Sequence, residues 1–154
     1  MKVSSSVMKV EGSSVDSVLE ELVALERSAL DRWIAMDPCG YHDLQASDVT
    51  YFDPFTEIRV DGRDALQVRF APMADMKAPF TDPRYEMINP KVQRHGEVAL
   101  LTFNLVNYGK LPDGLERVLS RWNATQVYRR VGAAWMIIHS HWSFIQPEVM
   151  TPGS

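Results

Sequence analysis

The sequence predicts an α+β fold, with helices first and sheet after, on three observations. Apolar residues fall at helical spacing in the first quarter of the chain, and the period drops to two near Asp48. The second half then holds long runs rich in β-branched and aromatic residues.

From Val15, the positions Val15, Val18, Leu19, Leu22, Val23, Leu30, Trp33 and Ile34 recur at helical spacing with charged residues between them. This makes one amphipathic helix of about five to six turns. Ser13 and Asp16 resemble a capping pair at its start, and Asp37-Pro38 ends it because proline disfavours helical geometry in the residue before it. A short helix is expected over Tyr41 to Ala46, a strand over Asp48 to Phe52, and a third helix from Gly62 to about Phe70. Ala71 to Pro83 reads as a loop, broken by Pro72, Pro79 and Pro83. Four strands follow, over Tyr85 to Arg94, Val98 to Tyr108, Leu119 to Val131 and Ala134 to Ile145.

The last two strands can be registered. With Gly132-Ala133 as a two-residue turn, Val131 pairs Ala134, Tyr128 pairs Ile137, Gln126 pairs His139 and Ala124 pairs His141. One face then carries Trp122, Gln126, Tyr128, His139 and His141. The other carries Arg121, Asn123, Thr125 and Arg129 beside an apolar row of Met136, Ile138, Trp142 and Phe144, suited to a homodimer or larger closed oligomer.

The 154 residues, 45% hydrophobic and 23% charged, suit one domain, expected over 15–147 between tails at 1–14 and 148–154. A net charge of −4 supplies no positive field for a phosphate backbone, which excludes nucleic acid as a partner. No apolar run approaches the roughly 20 residues that span a bilayer, so no membrane partner is expected. The single cysteine, Cys39, can build neither an internal disulfide nor a cysteine-based zinc site. With no signal-peptide pattern at the start, a cytoplasmic setting is expected.

Four ordered motifs carry a family resemblance: Tyr51-Phe52-Asp53-Pro54; Ile88-Asn89-Pro90 with Val92 and Gly96; Thr125-x-Val127-Tyr128-x-Arg130; and Trp135-x-x-x-His139-x-His141-x-Ser143. Over Val15 to Pro147 the chain resembles the association (hub) domain of calcium/calmodulin-dependent protein kinase II and its bacterial stand-alone relatives, within the nuclear transport factor 2-like, SnoaL-like superfamily. The resemblance implies a cone: a curved antiparallel sheet wrapped around the long N-terminal helix and two shorter ones. It also implies a pocket, which in the kinase hub takes small carboxylates on arginines of the central strands. Here Gln126 stands at one of those positions, and Val106 or Asn107 near the other.

Two histidines two apart on a strand share a face, so His139 and His141 suit acid/base work, a metal pair, or hydrogen-bonded structural roles. No third ligand completes a recognisable set, and neither a metal nor another cofactor is expected. Asp53 shares a face with Tyr51, where desolvation in an apolar cone would raise its pKa; alternatively it caps the turn that Pro54 begins. Asn104, mid-strand, faces either the cone or solvent and needs partners if buried. A Gly-rich phosphate loop and a nucleophile elbow are both missing, and Cys39 has no evident basic partner, which argues against covalent catalysis.

The combined reading is a protein that binds a small lipophilic organic molecule, with cofactor-free acid/base chemistry of isomerase, dehydratase or cyclase type. Asp53 and His139 are the expected catalytic pair, with Tyr51, Asn104, Gln126 and His141 as ligand contacts. The alternative is an oligomerisation module with a vestigial pocket.

Overall fold

The computed structural model describes residues 2–146, with side chains from residue 16 onward. The expected C-terminal tail at 148–154 lies outside these limits, whereas the helix start expected at Ser13 is not found, because the first helix runs straight through that residue. The first helix, α1 (Lys2–Ile34), takes in most of the segment expected as an N-terminal tail. Its buried stripe runs through Val18, Leu22, Glu26, Ala29 and Leu30, the spacing of one helical face.

α1 stops where the expected break lies: Met36 adopts a φ of 66° just before Asp37-Pro38. Arg32 then ties the helix end to the next turn, donating to Asp37 Oδ2 at 2.8 Å and Asp43 Oδ2 at 3.1 Å. In α2 (Cys39–Leu44), Gly40 permits a close helix crossing, since a Cβ there would sit 3.0 Å from Ala29 Cα.

The remaining elements are β1 (Gln45–Phe52), β2 (Val60–Asp61), α3 (Arg63–Phe70), β3 (Thr81–His95), β4 (Val98–Lys110), β5 (Glu116–Val131) and β6 (Ala134–Phe144). A turn of 3-10 helix at Ala71–Asp75 occupies part of the expected loop, and β2 is a short strand that the periodicity does not reveal. The six strands form one open curved sheet in the order β2-β1-β6-β5-β4-β3. All pairs run antiparallel except β1 with β6, which is parallel and joins the first strand to the last. The helices cover one face, burying Leu101, Phe103 and Leu105 of β4, Ala124, Gln126 and Tyr128 of β5, and Trp135, Ile137 and Ser140 of β6.

Two of the sheet's bulges fall in the sequence motifs. On β3, Ile88 pairs Asn104 but Lys91 pairs Thr102, which leaves one extra residue in the Ile88-Asn89-Pro90 motif. Asn89 has a φ of 51°, and Pro90 has no N–H to offer the ladder, so the motif bends the strand. On β6 the expected pairs Val131 with Ala134 and Tyr128 with Ile137 form, but Val127 then pairs His139, leaving Ile138 as the extra residue. Gln126 therefore pairs Ser140, and Ala124 pairs Trp142.

That single residue inverts every facing expected from His139 onward. His139 and His141 lie on the outer face, away from the helices, while Ser140, Trp142 and Phe144 turn inward. The expected apolar row is thus split: Met136 and Ile138 stay outside, and Trp142 and Phe144 pack on Trp122 at ring distances of 6.0 and 4.2 Å. Ile137 and Trp142 are an odd number of residues apart, so a regular strand would place them on opposite faces. Packing both into the apolar interior requires one bulge between them.

Candidate functional site

A cavity of about 220 Å³ lies between the helices and the inner face of the sheet. Aromatic side chains make much of its wall, Trp33 against Phe70 at 5.2 Å and Trp122 against Trp142 at 6.0 Å, both edge to face. Polar groups from α2, β1, β4 and β6 interrupt this wall at a few points.

The first is a corner at the end of β1. The Tyr51 hydroxyl donates to Asp53 Oδ2 at 2.9 Å, and the Phe55 amide donates to Oδ1 at 2.8 Å. Arg69 Nη2 lies 3.6 Å from Oδ1, and the Asp53 side chain is only 5% exposed. Both readings of Asp53 therefore hold in one geometry, since one oxygen caps the turn and the carboxylate also lines the cavity. Burial first, and the Asp53 charge second, push the Tyr51 hydroxyl far above the ordinary tyrosine range, so it stays a proton donor.

A second point joins α2 to β1, where His42 Nδ1 lies 3.3 Å from Gln45 Oε1. Both side chains are buried and line the cavity. On β6, Ser140 lines the cavity and donates a short hydrogen bond to Gln126 Oε1. Gln126 itself is fully buried behind Ser140, and its Nε2 has no hydrogen-bond partner.

Deeper still, Glu26 is fully buried on α1. Tyr41 donates to its Oε2 at 2.7 Å and Tyr128 to its Oε1 at 2.8 Å. Desolvation pushes its carboxyl up to about 7, and the hydrogen bonds from the two tyrosines counter only part of that rise.

Of the residues singled out in the sequence, Tyr51, Asp53 and Asn107 line this cavity and Gln126 adjoins it. His139, His141 and Asn104 do not reach it. His139 Nδ1 meets Thr50 Oγ1 at 2.7 Å on the outer face, and Phe52 lies over both imidazoles at 5.7 and 5.4 Å. Burial, then the neighbouring His141, lowers the His139 pKa. Asn104 donates to Asn123 Oδ1 at 2.7 Å in a polar row on that same face. Among the described residues no three His, Cys, Asp or Glu side chains gather as a metal site, and no helix is long and apolar enough to cross a membrane.

The cavity's histidine is thus His42, and its second carboxylate neighbour is Glu26; sequence reasoning missed both. Glu26 was discoverable, because it lies on the apolar stripe between Leu22 and Leu30. His42 carried no such signal.

The SnoaL-like domain family matches residues 27–147. A ketosteroid isomerase-like protein of Parabacteroides distasonis is 36% identical, over 82% of this chain and 87% of its own, with a TM-score of 0.66. The association domain of Caenorhabditis elegans calcium/calmodulin-dependent protein kinase II is 18% identical over 84% of this chain and 98% of its own, with a TM-score of 0.71. A Xanthomonas campestris chain described as such an association domain is also 18% identical, over 81% and 86%, with a TM-score of 0.63. At that identity the last two show a shared fold. No curated protein matches the sequence.

Proposed function

The chain belongs to the SnoaL-like family, and from that premise we propose that its cavity binds a small, mostly apolar organic molecule and moves a proton on it without a cofactor. Asp53 is the base in this reading, and Tyr51 holds the carboxylate in place. His42, fixed by Gln45, is the second proton-handling group, in the role first expected of His139. The aromatic wall seats the ligand and keeps water out, which strengthens each polar contact inside. One observation carries the reading: a carboxylate enclosed almost completely, yet set in the wall of an aromatic cavity. A fold that hosts many chemistries adds nothing more specific.

Native mass spectrometry of the purified protein, followed by a metabolite panel, tests it. A co-purifying small molecule is expected, with turnover lost in Asp53→Asn while binding is kept. A panel in which no compound binds or raises the melting temperature would refute the reading.

Self-association is the second reading, favoured by Phe52, Met136 and Ile138 on the outer face and by the likeness to association domains. Sedimentation at about 100 μM should show a dimer or larger closed assembly, far above the dissociation constant of a stable interface. Met136→Glu should split it; a wild-type monomer at that concentration would exclude the interface.

A further inference from the structure

Glu26 takes no part in the proton transfer just described, although it is the one fully buried acidic residue among the described residues. Its two oxygens meet two phenols, Tyr41 from α2 and Tyr128 from β5. The two differ in what lies beyond them. Tyr128 is fully enclosed, whereas Tyr41 lines the cavity, with Tyr51 near enough to act on it.

Hydrogen-bond counting then decides what this triad can do. An ionised carboxylate only accepts, so it holds the protons of both phenols and leaves neither free. A protonated carboxyl has one proton of its own to donate, and the phenol that receives it must turn its own O–H elsewhere. For Tyr41 the place to turn is the cavity.

We propose that Glu26 and Tyr41 form a second polar station of the cavity, which presents an O–H donor to an acceptor oxygen of the ligand when Glu26 is protonated and withdraws it when Glu26 ionises. This rests on the cavity being a ligand site and names the ligand class: a small, uncharged, mostly apolar molecule bearing an acceptor oxygen. The switch falls near neutral pH, because burial raises the Glu26 carboxyl to about 7. The groups facing it are Tyr41 from α2 and Tyr128 and Gln126 from β5, with no lysine or arginine among them. Tyr51 acts on Tyr41 from β1, and it is bound in turn to Asp53.

Acetophenone and ethylbenzene, alike in shape but only one with a carbonyl, serve as probes. Wild-type protein should bind acetophenone about tenfold more tightly near pH 6 than near pH 8, the value of one hydrogen bond, and bind ethylbenzene equally at both. Glu26→Gln should remove the pH dependence, and Tyr41→Phe should bring acetophenone down to ethylbenzene. A flat acetophenone profile alongside measurable ethylbenzene binding overturns the switch and leaves the cavity reading intact. So does a pH dependence that survives in Tyr41→Phe. If neither probe binds, the metabolite panel judges the cavity reading, and carbon-13 spectra of labelled glutamate and tyrosine judge the switch alone. Tyr41 ring signals that follow the Glu26 carboxyl midpoint support it; signals that stay still through that titration overturn it.

Discussion

The two faces of the sheet carry similar side chains in opposite circumstances. On the outer face, Asn104 bonds Asn123 and His139 bonds Thr50, so its polar groups satisfy one another beside solvent. On the inner face, Gln126 and Ser140 bond each other in the core, yet a Gln126 donor is left over, and Glu26 sits in the core between two tyrosines. Identical chemistry is inexpensive on one face and strained on the other, because unpaired polar groups are costly only where water cannot reach them. The inner face is therefore where burial raises a carboxyl, that of Glu26, toward neutral pH.

The sharpest break of that comparison uses neighbouring residues. Ile137→Asp places a charge in the fully buried core and should destabilise by roughly 4 kcal/mol or more, whereas Ile138→Asp in the bulge should cost about 1 kcal/mol. Urea denaturation of the two variants measures the difference, and equal losses would mean the bulge is misplaced.

A smaller effect follows from Glu26. Its carboxyl is raised from 4.5 to about 7 by folding, so between those values the folded protein holds a proton that the unfolded chain has released. Stability from this group is full below about pH 4.5 and is lost as pH rises through about 7, by about 3 kcal/mol in all. Glu26→Gln has no proton to lose. Its stability relative to wild type should therefore improve by about that amount between acidic and mildly alkaline pH, read from urea midpoints across the range.

The smallest effect belongs to the outer face. His139→Ala loses the Thr50 hydrogen bond and should cost about 1 kcal/mol, with ligand binding in the cavity unchanged. Weakened binding would place the imidazole in contact with the cavity after all.

Much of the architecture was legible in local pattern. The α1 periodicity, the Asp37-Pro38 stop, the long β runs and the Gly132-Ala133 turn all rest on interactions within a few residues, and the ordered motifs identified the family. In the cavity, Tyr51 and Asp53 share one short strand end, so their common face could be read from spacing two. His139 and His141 were placed by the same rule, and there it failed. Alternation counts residues, and one bulged residue inverts the count for everything after it.

By itself, then, the sequence determined the order of helices and strands, the family, and the pairing of Tyr51 with Asp53. Only the tertiary structure decided which way β6 faces beyond Ile137, because the bulge is set by burying Ile137 and Trp142 in one interior, and local period cannot express that. Only it decided the state of Glu26, whose second phenol lies 102 residues further along the chain. A proton held by burial depends on everything that excludes water from it, and that enclosure exists only once helix and sheet have closed together.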